Sequence, residues 1–158
     1  MGQKKLETFE QGLAYASKYC SMQESTAKDM KNRLIKYGLE EGLADKVVKK
    51  LIEGDYINEE RYALLYTRSK IRQSRWGKIK IKRMLIGKGI GIQYINDAFA
   101  QIDENEYRQV LQYLFEKKLS SLNVEDEYQK KYRLQYYLSS HGFENELIEE
   151  IFADNNLI

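Results

Sequence analysis

The sequence predicts an all-α fold of three tandem three-helix repeats forming an elongated, curved helical array. Three observations predict it. Apolar residues recur with helical period along most of the chain. A pattern of seven or eight apolar positions returns twice, at offsets of 51 and 53 residues. The 158 residues include no proline, so nothing in the chain covalently breaks a helix.

Leu6, Phe9, Leu13, Ala16 and Cys20 step by three and four and form one stripe of a first helix. Cys20 lies on that stripe and reads as a small core residue. Ser25 or Thr26 caps a second helix carrying Ala27, Met30 and Leu34, which stops at Gly38, the usual left-handed terminator. A third helix turns Leu43, Ala44, Val47, Val48 and Leu51 inward and ends near Gly54.

The same phrase then recurs. Met30, Leu34, Gly38 and Leu39 correspond to Ile81, Leu85, Gly89 and Ile90, and again to Leu134, Leu138, Gly142 and Phe143. In the helix that follows, Leu43, Ala44, Val47 and Val48 correspond to Tyr94, Ile95, Ala98 and Phe99, then to Leu147, Ile148, Ile151 and Phe152. Internal repetition of this kind divides the chain at 1–56, 57–103 and 104–158, three helices to each segment. Repeats that contact mainly their neighbours give the expectation of an elongated array. The repeat also decides one ambiguity: Lys78–Lys82 alternates like a strand, yet aligns with two clear helices and is predicted helical, with Ile81, Met84 and Leu85 facing the core. Trp76 and Ile81 around Gly77, and Ile57 and Tyr62 around Asn58, have the spacing of hydrophobic staples.

Composition excludes several function classes. The length suits one domain. One Cys and one His leave no disulfide framework, no zinc site built on Cys and His, and no nucleophile–histidine pair except through His141. His141 stands in the last turn of a helix, where a dipole contact or solvent exposure accounts for it. Gly87, Gly89 and Gly91 end a helix and so do not cradle a phosphate. Glu40–Glu41 and Glu59–Glu60 sit at helix starts, where the dipole favours them. No catalytic residue, metal or cofactor is predicted, so the chain does not read as an enzyme. No apolar run approaches a membrane span, and Met1–Lys5 leads into a polar segment unlike a secretion signal. A cytoplasmic monomer is expected. Most of the 13 tyrosines read as amphipathic residues at the core edge.

Charge is segregated. Residues 61–96 hold Arg61, Arg68, Lys70, Arg72, Arg75, Lys78, Lys80, Lys82, Arg83 and Lys88, with no Asp or Glu. Residues 97–158 hold 6 basic and 13 acidic residues. At 100° per residue, Arg61, Arg68, Arg72 and Arg75 fall within about 60° and predict a basic ridge. Arg83 points outward, with Ile79 and Ile86 beside it. Such a face is either solvated, with the two isoleucines buried against a neighbouring unit, or meets a partner. Ten cations without a local anion repel one another, which favours an anionic partner. The predicted contact residues are Arg61, Arg68, Arg72, Arg75, Lys78, Lys80, Lys82, Arg83 and Lys88.

Three stretches resemble the RecX family, bacterial regulators of the RecA recombinase. Tyr56, Ile57, Asn58, Glu59, Glu60, Arg61, Tyr62 and Ala63 resemble the family's Gly-Tyr-Leu-Asp-Asp-x-x-Phe-Ala. Gly77, Ile81, Leu85, Lys88, Gly89 and Ile90 resemble its Gly-Pro-x-x-Ile-x-x-x-Leu-x-x-Lys-Gly-Ile. Leu138, Gly142, Phe143, Ile148, Glu150, Ile151 and Phe152 are similar to its closing helix pair. The motif's first Gly is Asp55 here, its Asp-Asp pair is Asn58–Glu59, and its Pro is Lys78. The resemblance implies binding to the RecA–DNA filament and suppression of its ATPase, strand exchange and co-protease functions, with no catalytic residues and with single-stranded DNA met directly or through the filament. The residues alone also allow a stand-alone DNA-binding module using the basic middle repeat, or a scaffold for an acidic protein.

Overall fold

The computed structural model describes residues 4–157. The reading of the N-terminus falls partly on Met1–Gln3, outside them. Among the described residues there are nine helices and no strand: α1 Phe9–Met22, α2 Ala27–Lys36, α3 Glu41–Glu53, α4 Glu59–Arg72, α5 Lys78–Gly87, α6 Ile92–Ala100, α7 Glu104–Ser121, α8 Glu127–Ser140 and α9 Asn145–Asp154.

Side chains that can accept from exposed amides start most of these helices. Thr8 and Gln11 form a reciprocal capping box on α1. Thr26 Oγ1 accepts the Asp29 amide at 3.0 Å, and Asn58 Oδ1 accepts the Arg61 amide at 2.9 Å. Asp103 and Asp126 cap α7 and α8. Each such cap contributes roughly 1 kcal/mol.

The repeat holds residue by residue. Leu34, Leu85 and Leu138 are all 0 % exposed, as are Met30, Ile81 and Leu134. Gly38, Gly89 and Gly142 all have positive φ, at 103°, 82° and 96°. The residue after each, Leu39, Ile90 or Phe143, is buried. At the first and third of these turns the amide of Leu39 or Phe143 donates back to the carbonyl of Leu34 or Leu138, the long bond of a Schellman closure.

Packing divides the chain into two compact units. One comprises the described residues up to Ala63 together with Ile86–Ile95. Its core joins Leu6, Ala16, Met30, Leu34, Leu39, Ala44, Val47, Val48, Leu51 and Ile57. Buried Gly12 lets α1 approach Leu39 and Val47. Cys20 packs against this cluster while half-buried, and burial pushes its thiol pKa up, away from a reactive thiolate. The Lys28 ammonium donates to the Gly87 carbonyl at 2.7 Å, and Lys88 pairs with Asp29 at 3.0 Å.

The other unit comprises Leu64–Leu85 and the residues from Asn96 onward. Its buried side chains include Ile71, Ile81, Leu85, Leu111, Phe115, Leu134 and Leu138. Two ring pairs stitch it, Tyr107 with Phe143 and Phe115 with Phe152. Helices α4, α5 and α6 each have residues in both units, so this division by packing differs from the sequence division by repeat. Met84 corrects the sequence reading: it is 40 % exposed. It lies about 80° round α5 from the Ile81–Leu85 pair, beyond the narrow face that a three-turn helix buries.

Candidate binding surface

The predicted basic residues fall in α4, in the connection after it, and in α5 with the turn that follows. Asn58 starts α4, and its first-turn acids Glu59 and Glu60 suit the positive helix end. Arg61, in the same turn, does not face outward freely. Its guanidinium forks onto Glu24 at 2.6 and 3.3 Å and reaches Asp55 at 3.2 Å. The Glu24 bond leads in holding this guanidinium further into its charged range.

The ridge is shorter than helical spacing predicts. α4 ends at Arg72, and Trp76 donates its amide to the Lys70 carbonyl at 3.0 Å. Arg75 occupies a left-handed conformation, φ 54°, inside this closing turn. It therefore leaves the helix face, and its guanidinium lies 4.3 Å from the centre of the Tyr113 ring. Arg68 and Arg72 remain on α4 and line one shallow cavity with Asp103 and Glu106. Arg72 grips Glu106 with a fork at 2.5 and 3.2 Å and thereby holds that carboxyl below its usual range.

α5 begins where two backbones touch. Gly77 donates its amide to the His141 carbonyl at 2.7 Å, and Ile79 donates to the Gly142 carbonyl at 2.9 Å. A methyl on Gly77 would lie 2.3 Å from Gly142 backbone atoms, so only glycine fits. The Lys78 amide donates to the Tyr107 hydroxyl, which donates in turn to Glu144. A proline at 78 has no such amide to give. Burial, then the Glu144 bond, pushes the Tyr107 phenol well above its ordinary pKa, so it stays a neutral donor. His141 caps α8, with Nδ1 3.0 Å from the Tyr137 carbonyl, consistent with the structural role expected of it.

The premise of ten cations with no anion therefore needs correction: the carboxylates come from outside the stretch. Glu24 and Asp55 hold Arg61, Glu106 holds Arg72, Glu104 holds Lys78 at 2.9 Å, and Asp29 holds Lys88. Lys70 and Lys80 lie over Trp76 at 4.7 and 4.4 Å. Lys82 and Arg83 are exposed, and neither they nor the partly buried Arg68 and Arg75 have an ion pair among the described residues. Ile79 and Ile86 are about half exposed, so neither is buried against a neighbour. Sequence reasoning missed the aromatic partners Trp76, Tyr107 and Tyr113. It also missed Tyr128, Tyr132 and Tyr136, which are strongly exposed instead of edging the core. Their spacing out of phase with Leu134 and Leu138 is the signal that could have found them.

Among the described residues no group of three or more His, Cys, Asp or Glu could hold a metal ion. No helix there is long and apolar enough to cross a membrane.

Comparison with known proteins gives a consistent answer. The family model of the second three-helix domain of RecX matches residues 58–98, and that of the third matches residues 105–152. Together they span more than half of the chain. The regulatory protein RecX of Bacillus cereus is 29 % identical over 143 residues, 90 % of this chain and 53 % of that protein. A Bacillus thuringiensis protein of the same name is also 29 % identical. The chain thus spans about half the length of the curated relatives it matches. The crystal structure of RecX from Lactobacillus salivarius superposes with a TM-score of 0.83 at 27 % identity, over 95 % of this chain and 97 % of that one. A second crystal structure, of regulatory protein RecX, gives 0.81 at 26 % identity over 91 % of this chain and 74 % of the other.

Proposed function

We propose, because the chain belongs to the RecX family of regulatory proteins, that it regulates the RecA recombinase by binding the RecA–DNA filament. Binding suppresses the filament's ATPase, strand exchange and co-protease functions, and the chain acts as a cytoplasmic monomer. The three repeat segments, 1–56, 57–103 and 104–158, serve as successive docking units, with the middle one supplying the main cationic contact.

One observation carries this reading within the molecule. On α5, Lys82 and Arg83 are exposed and have no carboxylate partner among the described residues, beside half-exposed Ile79. A mixed aliphatic and cationic face fits a protein surface that also bears phosphate. Lys80, Arg68, Arg72 and Arg75 supply further cationic contacts. Lys78, Arg61 and Lys88 act chiefly by holding helices in place through their ion pairs.

The test follows ATP hydrolysis by the cognate RecA on single-stranded DNA. Near-stoichiometric amounts of the chain slow hydrolysis, and the Lys82→Glu/Arg83→Glu variant requires at least about tenfold more protein for the same effect. Unchanged hydrolysis at large excess of the parent removes the assignment. Equal inhibition by the variant moves the contact elsewhere.

A further inference from the structure

We propose that the exposed tyrosine face of α8 binds the unpaired bases of a single-stranded nucleic acid. The helix buries Leu134 and Leu138 on one side. About 140° round from them stand Tyr128, Tyr132 and Tyr136, one per turn. They are 79 %, 65 % and 71 % exposed. Three large rings left in water on successive turns need a reason, since such surface is ordinarily buried or used. Four residues advance a helix by about 6 Å, a repeat that an unstacked nucleotide chain can follow. Every base offers a flat face to a tyrosine ring, whatever the sequence.

The charges beside the rings select an anion. Lys118, Leu122, Tyr132, Arg133, Tyr136 and Tyr137 line a shallow concavity along this face, and no carboxylate lines it. Arg133 is exposed and has no ion pair among the described residues. Lys118 lies 5.0 Å from the centre of the Tyr137 ring and likewise has no carboxylate partner there. Glu149 shares a neighbouring concavity with Tyr128 and Tyr132, where it faces Lys131 at 3.9 Å, and Glu127 takes Lys130 at 3.3 Å. The cationic part of the face is therefore the stretch around Tyr132 and Tyr136, beside Arg133 and Lys118. A ligand both anionic and rich in flat rings is a nucleotide chain, with phosphates toward Arg133 and Lys118 and bases on the tyrosines. An acidic protein segment would meet the two cations but leave the ladder of rings without a counterpart.

This inference stands apart from the recombinase reading, and its test uses no recombinase. Fluorescence anisotropy compares labelled oligothymidylate with an abasic strand of equal length, so that both carry the same phosphates. The expected result is tighter binding of oligothymidylate at low salt. The Tyr128→Ala/Tyr132→Ala/Tyr136→Ala variant loses at least about tenfold of that affinity and keeps its weaker abasic binding. The corresponding triple Phe variant, which retains the rings, binds like the parent. Arg133→Glu weakens both strands and flattens the salt dependence. Equal affinity of the parent for the two strands, no binding of either, or full affinity in a folded triple Ala variant overturns the proposal. If the triple Ala variant binds oligothymidylate normally but loses self-association, the face is a protein interface and the proposal also fails. Single Tyr132→Ala gives the same reading should the triple variant not fold.

Discussion

Gly38 and Gly142 stand at the same place in the repeat, yet they carry different loads. Both follow the last turn of a helix, both have positive φ, and both precede a buried apolar residue. Locally they are one feature. A methyl at Gly38 would meet the Lys5 side chain first, at 2.6 Å, and a lysine stem can swing aside. At Gly142 the methyl would meet Lys80 Cβ at 2.4 Å, its amide nitrogen at 2.7 Å and the Gly77 carbonyl at 3.0 Å. Those atoms belong to the start of α5, which itself hangs on the His141 and Gly142 carbonyls. The repeat thus reuses one turn for two tasks, ending a helix and joining two backbones.

The largest expected effect breaks this equivalence. Gly142→Ala costs about 5 kcal/mol, from left-handed backbone strain and from a clash that backbone cannot absorb. Gly38→Ala costs about 1–2 kcal/mol, the backbone strain alone. Gly89→Ala resembles Gly38→Ala, because its nearest neighbour, Lys28, stands at an ordinary 3.6 Å. Urea unfolding of the three variants measures the order. Equal losses at Gly38 and Gly142 would show that the contact with Gly77 adds nothing.

Core positions should not follow the glycines. Leu34 and Leu138 are each completely buried, so each change to Ala costs about 2–5 kcal/mol. Similar values for the two leucines beside unlike values for the two glycines would locate the difference in the backbone joint and not in packing density.

What the sequence disclosed follows from this comparison. Leu34, Leu85 and Leu138, the three left-handed glycines and the Asn58 cap were legible because each depends on neighbours within a few residues. The Gly77–Gly142 joint was not legible: alone, Gly77 reads as a helix start, and only the folded chain brings Gly142 beside it. The ion pairs failed for the same reason. Arg61 finds Glu24 across 37 residues, Arg72 finds Glu106 across 34, and Lys88 finds Asp29 across 59. A window of 36 residues without acid could not show them. Arg75 fell off its predicted ridge because a helical wheel assumes a helix, and α4 had already closed.

Within α4 a smaller effect sharpens the contrast between satisfied and unsatisfied groups. Thr67 is wholly buried, and its hydroxyl has no hydrogen-bond partner among the described residues, unlike the capping hydroxyls of Thr8 and Thr26. Thr67→Val keeps the shape and removes the stranded hydroxyl. It should raise stability by about 1 kcal/mol, read as a higher urea midpoint at unchanged slope. A loss of stability would mean that the hydroxyl has a partner in solution.

The smallest effect concerns Asp55, which also takes a left-handed turn, φ 62°, at the position where the RecX pattern has glycine. Gly54 before it is not left-handed, at φ −88°. Aspartate tolerates this conformation better than most residues, and its carboxylate accepts from Asn58 and Arg61. The Asn58 bond leads, with Arg61 adding, in holding this carboxyl below its usual pKa. A depressed folded pKa contributes stability that is present above the unfolded value, about 3.9, and is lost as pH falls through the folded one. Asp55→Gly trades that contribution for an unstrained backbone. At neutral pH the two gains oppose each other, and the variant's melting temperature stays close to the parent's. As pH drops below the ordinary carboxylate range only the backbone gain survives, so the variant becomes the more stable protein. Thermal melts of parent and variant across the acid range test this. A constant gap between them would show that the carboxylate contributes nothing, leaving Asp55 as a strained stand-in for glycine.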